Sequence, residues 1–323
     1  MLTRFFVVGA IVVFFCVAGN RIAIPSPWGP GYLPNSPVIT QDGKTLRFYD
    51  DVIKGKIVVI SFIYTTCRDI CPVITARLAQ VKDKLGDMVG RDIFFVSISI
   101  DPLNDTPDKL KYYAETFQTG PGWVFLTGNP KEIDVIRHKL GERSRKVTEH
   151  GSDIVLANDV TGEWARDSAF SDLNTLVLTI KAMNPTWRNE MGRKEDFASD
   201  SATQHAVTDS LPGQALYIKA CASCHTIGGG KRIGPDLEGL STRRDRGWIV
   251  NYLMAPERMR AQKDPIAAEL AASYSARMPT LGLSENDAAD LIGYVDAQTY
   301  GVRADRKDAN AHHHYHHHGH QHK

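Results

Sequence analysis

The sequence is short of cysteine, of net charge and of histidine outside its last residues, and each shortage closes a class of explanation. Five cysteines in 323 residues are too few for a disulfide scaffold, so each has to be read for its chemistry. A net charge of +1 and a pI near 7.7 leave no electrostatic footprint for nucleic acid. Only His138, His150, His205 and His225 precede the C-terminal tail, and residues 226–311 contain neither cysteine nor histidine. No internal repeat is present, and no apolar run reaches the ~20 residues that a spanning helix needs.

The longest apolar run, Phe5 to Ala18, follows Arg4 and ends in the small residues Ala18-Gly19. That is the layout of a secretory signal peptide, or of an uncleaved anchor if no cleavage follows. Residues 1–19 are therefore expected to export the chain, with Cys16 an ordinary member of the apolar run. Residues 20–50 hold Pro25, Pro27, Pro30, Pro34 and Pro37 and read as an extended lead-in.

Beyond them strands and helices alternate. Ile57 to Tyr64 and Ile93 to Ile100 are continuous apolar runs, as for strands covered on both faces. Between them Ile70, Ile74, Leu78, Val81 and Leu85 recur at helical spacing, and Gly86 marks the stop. Thr106-Pro107 and Asn129-Pro130 read as N-caps followed by proline at the first helical position. Trp123 to Leu126 is a short strand. Asp153 to Ala157 and Glu163 to Asp167 flank a turn ending at Gly162, a hairpin signal, and Leu173 to Met183 reads as a helix. This pattern predicts an α/β domain over 20–187. Residues 188–212 are polar and aperiodic, an interdomain linker ending at Pro212-Gly213. From residue 213 to 300 the sequence is helical without strand-like runs, and residues 301–323 read as a disordered tail.

Four of the five cysteines form two pairs of different spacing. Cys67-Arg-Asp-Ile-Cys71 follows the first strand, where the next helix begins. Two thiols four apart on a helix share a face, within reach of a disulfide. A helix N-terminus also favours thiolate, which selects soft ions such as Cu(I). The spacing alone leaves a reversible disulfide and a soft-metal site both open. A metal would need a third ligand. His138 sits on a charged helix, His205 in the linker and His225 in the second cysteine motif. His150 lies in a loop directly before the strand Asp153 to Ala157, either projecting a ligand over the sheet edge or standing in water.

The blocks TTCRDICP, SISIDPLNDTP and EHGSDIVLANDVTG, in that order, resemble the Sco/SenC proteins. These are copper metallochaperones of the thioredoxin superfamily that help assemble the CuA centre of cytochrome c oxidase. The resemblance covers about residues 35–183. It implies a thioredoxin-like fold and copper bound by Cys67, Cys71 and His150, although Glu149 and Gly151 replace the residues that usually flank the histidine. It also implies a partner, the CuA subunit of the oxidase. Asp101 falls on a family aspartate that either tunes the site or caps the strand-to-loop turn. The competing function is thiol–disulfide exchange, for example reduction of the oxidase's copper-site cysteines. Against it stands the x3 spacing, since general dithiol exchangers use C-x-x-C.

The second pair, Cys221-Ala-Ser-Cys224-His225, is the covalent attachment signature of haem c: two thioether bonds and a proximal histidine. A zinc site would want a further pair nearby, and none is there. The stretch 211–300 resembles a class I mono-haem cytochrome c. It has a helix entering the motif, Gly-Pro-Asp-Leu at 234–237, and Arg277-Met278-Pro279 before a final helix. The resemblance implies Met278, rather than Met254 or Met259, as the distal iron ligand, and Pro235 as support for His225. Ser284-x-x-Asp287 reads as the cap of the closing helix. His/Met ligation suits electron transfer rather than oxygen chemistry.

Eight histidines close the chain: His312, His313, His314, His316, His317, His318, His320 and His322. They read as a weak, geometry-free metal-collecting tail. The sum is an exported, membrane-associated metallochaperone and electron carrier on the periplasmic side of a bacterial inner membrane, with copper and haem c as its groups. A redox partner protein is expected, and thiol–disulfide reductase or redox sensor are the alternatives.

Overall fold

A computed structural model describes residues 31–191 and 211–316. The expected signal or anchor segment at 1–19, most of the linker including His205, and the side chains of the tail histidines lie outside the described residues. Among the described residues, no helix is long and apolar enough to cross a membrane.

The N-terminal unit is one seven-stranded sheet. In chain order its strands are β1 (Pro37–Thr40), β2 (Thr45–Arg47), β3 (Ile57–Ile63), β4 (Ile93–Ser99), β5 (Trp123–Thr127), β6 (Asp153–Asn158) and β7 (Glu163–Ser168). Across the sheet the order is β2-β1-β5-β4-β3-β6-β7. The central three, β3 to β5, are parallel, and the flanking pairs are antiparallel. Alternation explains the continuous apolar strands. Val59 and Ile63 of β3 point into one core layer with Phe95 of β4, and Val58, Ile60 and Phe62 into the other with Val96 and Ile98. Each such side chain, fully buried, contributes about 1.5–3 kcal/mol. The expected hairpin forms: Asn158 faces Glu163, and the turn is closed by the Gly162 N–H on the Asn158 carbonyl at 2.9 Å. Gly162 sits at φ 72°, where a side chain would be strained.

Helices α1 (Ile70–Leu85), α2 (Pro107–Thr116), α3 (Pro130–Lys139) and α4 (Leu173–Ala182) cover the sheet. Both proline-led caps are realised, Thr106 accepting from the Lys109 N–H and Asn129 from the Lys131 N–H. Two expectations shift. The helix α1 begins at Ile70, so Cys67 stands in the preceding loop and the thiols do not share a helix face. A further helix, α5 (Pro185–Met191), occupies the first residues assigned to the linker.

The C-terminal unit is all helical. A short segment, α6 (Gln214–Leu216), runs on as a wide turn through Tyr217–Cys221, followed by α7 (Leu240–Arg243), α8 (Arg246–Met254), α9 (Pro256–Ala261), α10 (Pro265–Ser273) and α11 (Glu285–His316). Ser284 and Asp287 cap α11 reciprocally. The Asp287 N–H reaches the Ser284 hydroxyl at 3.2 Å, and the Ser284 N–H reaches the Asp287 carboxylate at 2.9 Å. This helix runs past residue 300, where the tail was expected to start. Arg306 pairs with Glu238 at 2.9 Å and Arg303 at 3.6 Å, so tertiary contacts carry the helix into the polar stretch.

The two units share a packed boundary. Ile233 of the helical unit is buried in the same cluster as the α1 face of the sheet domain, with Cys224 and Ala276 packed against it. Arg77 of α1, 4% exposed, donates to the carbonyls of Ala169 and Ser171 at 2.7 and 2.8 Å and to those of Ile218 and Lys219 at 3.3 and 3.2 Å. One guanidinium thus satisfies backbone acceptors of both units.

Candidate functional site

The first site forms where the parallel strands end, the edge at which open α/β sheets place their ligands. The loop after β3 is held from below by Asp105, which is fully buried. Its carboxylate accepts the Thr65 hydroxyl at 2.5 Å, the Thr65 N–H at 3.1 Å and the Ser99 hydroxyl at 2.6 Å. Burial raises its pKa, and these hydrogen bonds pull against that rise. Asp101, the aspartate singled out in the sequence, serves the turn instead. It accepts both hydrogen bonds of the Asn104 amide at 2.9 and 3.0 Å, and its carbonyl accepts the N–H groups of Asn104 and Asp105.

On this loop Cys67 and Cys71 meet. The Cys71 N–H donates to Cys67 Sγ at 3.4 Å, and both thiols are buried and reduced. The pair is asymmetric. The Cys71 thiol hydrogen-bonds to Cys67 and outweighs burial, so Cys67, aided by the Tyr64 hydroxyl and by backbone N–H groups, is pulled down to about 5. Burial and the neighbouring thiolate push Cys71 well above a free thiol. The arrangement is one thiolate beside one thiol, which serves both soft-metal capture and disulfide exchange.

His150 ends the short turn Val147–Glu149 and is buried. Its Nδ1–H donates to the Glu142 carboxylate at 3.2 Å, and its Nε2 is buried without a partner. Burial alone would raise Glu142, but the hydrogen bonds from His150 and Ser144 hold it at about 2. Such a carboxylate fixes the tautomer and leaves the other ring nitrogen free to ligate. Among the described residues, however, no three His, Cys, Asp or Glu side chains converge on one point. The structure brings Cys67 and Cys71 together and leaves His150 on Glu142. His138 is exposed on α3.

The second site is a crevice in the helical unit. The N–H groups of Cys224 and His225 both return to the Cys221 carbonyl, at 3.0 and 2.9 Å, which winds the motif into one tight turn. His225 Nδ1–H donates to the Pro235 carbonyl at 2.9 Å, so Nε2 is the nitrogen left to ligate, and burial lowers its pKa and keeps it neutral. The backbone comes so close that a Cβ on Gly234 would sit 2.5 Å from the imidazole. Burial raises the Cys221 and Cys224 thiols to about 12 and about 11. Met278 lines the same cavity as His225, with Pro235, Tyr252 and Leu270, while Met259 is buried in the neighbouring cluster with Tyr252 and Ala267. Two thiols, a neutral imidazole turned by a carbonyl, a glycine cradle and a thioether across an apolar cavity fit a covalently attached haem.

Comparison with known proteins finds a family match in each unit. Residues 37–160 match the SCO1/SenC family and residues 210–299 the Cytochrome c family. The chain is 34% identical over 121 residues to a SCO1 protein homolog of Bacillus subtilis (strain 168), covering 37% of this chain and 60% of that protein. It is 32% identical over 123 residues to the mitochondrial SCO1 homolog 1 of Arabidopsis thaliana, covering 38% and 36%. The chain thus spans less than two thirds of the length of these relatives. Among solved structures, a SCO1/SenC family lipoprotein from Bacillus anthracis str. Ames is 26% identical, with a TM-score of 0.39 over 47% of this chain and 94% of that one. Arabidopsis ScoI with copper bound is 25% identical, with a TM-score of 0.37 over 45% and 94%. Most of the sheet unit, residues 37–160, is thus similar to the SCO1/SenC family. In one chain, a segment similar to the SCO1/SenC family is thus followed by one similar to the Cytochrome c family.

The sequence pointed to Cys67, Cys71, His225 and Met278, but not to Asp105 or Glu142. Asp105 stands in the same block as Asp101, and no local signal tells the buried carboxylate from the turn cap. Glu142 precedes His150 by eight residues, a spacing that carries meaning only once the loop has folded back.

Proposed function

We propose that this chain is a copper metallochaperone of the Sco type, taking copper as cargo on Cys67, Cys71 and His150 for the CuA centre of cytochrome c oxidase. The observation that carries this reading is the buried Cys67–Cys71 pair, joined by the Cys71 N–H on Cys67 Sγ at 3.4 Å, with the unpartnered Nε2 of His150 as third donor. Thiolates prefer Cu(I), and imidazole accepts either copper oxidation state. Because Glu142 holds His150 through Nδ1, capture closes by bringing the free Nε2 onto metal already held by sulfur.

Haem bound at Cys221 and Cys224 supplies a one-electron centre. Its protein frame is His225, turned by the Pro235 carbonyl, with Met278 facing it. Its role in this reading is to exchange electrons with the copper or thiol site and with a partner protein, since delivery of Cu(I) requires both reduced metal and reduced thiols.

Titration of Cu(I) into the reduced chain against a chromogenic chelator tests the assignment. Cys67→Ser and Cys71→Ser are expected to lose tight binding, and His150→Ala to weaken it by at least the roughly tenfold that losing an outer-shell partner costs. Wild-type affinity in His150→Ala and Cys71→Ser would overturn it. A second reading, thiol–disulfide reductase, is favoured because, among the described residues, no third ligand stands beside the thiols. In that case His150→Ala retains full exchange activity and full cellular function.

A further inference from the structure

The wall of the cytochrome crevice is not made by the cytochrome domain alone. Pro72, next in chain to Cys71, and Phe117, just after α2, line the cavity that also holds His225 and Met278. Phe117 is 3% exposed. A wider cleft of about 510 Å³ opens beside it and has Cys67, Arg68, Arg277 and Met278 on its walls. Both redox sites therefore border one space.

The boundary is also tied at the residue between the cysteines. The Thr280 N–H, two residues after Met278, donates to the Arg68 carbonyl at 3.0 Å. The Arg68 guanidinium pairs with Glu257. Glu257 pairs with Arg260 at 2.7 Å, and Arg260 donates to the carbonyl of Met278 at 3.1 Å. Two routes of hydrogen bonds, one through backbone and one through side chains, run from the C-x3-C loop to the Met278 loop. Arg260 is largely buried while Arg68 is half exposed, so the inner part of the chain is held more firmly than its outer end.

We propose that the Sco domain is a structural part of the haem site, with Pro72 and Phe117 completing the crevice wall and Arg68 positioning the Met278 loop. Axial ligation by Met278 and access of water to the crevice then depend on the C-x3-C loop, because both set the potential and reactivity of a c-type centre. Arg68, Pro72 and Phe117 are positioning residues. They shape the site through the loop and wall and do not ligate the iron.

The test uses the full chain matured with haem, in wild type and in Phe117→Ala, Arg68→Ala and Val135→Ala. Val135 is exposed on α3 and serves as the control. Three properties are read: the rate at which imidazole displaces the distal ligand of ferric haem, the charge-transfer band of methionine-ligated ferric iron, and the midpoint potential. Phe117→Ala and Arg68→Ala are expected to bind imidazole roughly tenfold faster, the factor that about 1.4 kcal/mol corresponds to. A weaker methionine band and a lower potential should accompany this, with Val135→Ala like wild type. Phe117→Leu, which keeps most of the wall, should fall between and guards against a folding defect. Wild-type behaviour in both Phe117→Ala and Arg68→Ala overturns the proposal, as does an equal change in Val135→Ala. If the wild-type chain takes up no haem at Cys221 and Cys224, the cytochrome reading itself fails, which is a separate result.

Discussion

Cys67 and Cys71 are chemically unlike although they are the same residue type four positions apart. The difference comes from where the helix starts. Cys71, in the first turn of α1, is sealed by the core, whereas Cys67 lies in the loop, borders the cleft and collects hydrogen bonds from Cys71, Tyr64 and backbone N–H groups. A lowered pKa makes the thiolate persist to acid pH. Alkylation of Cys67 by iodoacetamide, followed by peptide mass, is expected to stay level through neutral pH and to fall by half at about pH 5, with Cys71 unmodified in the native chain. The linked stabilisation has the same sign: complete above a free thiol's value near 9.0, shrinking as the pH falls, and gone below about 5. A reactivity midpoint near that of an ordinary thiol would remove the asymmetry between the two thiols. The thiols were legible from spacing. Their division of labour was not, because it depends on hydrogen bonds that exist only once the loop has closed.

At the scale of elements, the C-x3-C loop is a strand-to-helix connection pinned by a carboxylate from another connection. Asp105 follows β4 and reaches across to Thr65 after β3, so the two parallel strands fix the loop's position together. Asp105→Ala removes the acceptor of three hydrogen bonds and strands buried donors. A loss of about 3 kcal/mol in urea unfolding is expected, at about 1 kcal/mol or more for each unpaired group. Asp105→Asn, which keeps an acceptor, should lose less. An equal loss in both variants would point to a steric role instead. The elements themselves were largely readable from the sequence, because β3 and β4 are apolar throughout and the proline-led caps are local chemistry. The extension of α11 beyond residue 300 was not, since the polar 301–306 stretch is held by Glu238 from a loop some sixty residues earlier.

The whole molecule is two folds closed over one boundary. Arg77 is its clearest fastening, a buried guanidinium that spends its donors on carbonyls of both units. Replacing it by Ala leaves those carbonyls without their donor and is expected to cost about 2–4 kcal/mol. Thermal unfolding followed by far-ultraviolet dichroism and by haem absorption should then separate into two transitions where wild type shows one. Coincident transitions in Arg77→Ala would mean that the boundary does not couple the units.

Local patterns determined a good deal by themselves. Motif spacing singled out two cysteine pairs, and apolar periodicity the α/β-then-α order. These features are carried by residues close together in the chain, where covalent geometry and backbone hydrogen bonding decide the outcome. Tertiary structure alone decided that Cys67 is the thiolate, that His150 rests on Glu142, and that Pro72 and Phe117 stand in the wall of the other domain's crevice. The first two need a loop folded back on itself, and the last joins residues far apart in sequence. The energies involved, desolvation, packing and charge, depend on which surfaces the folded chain brings into contact.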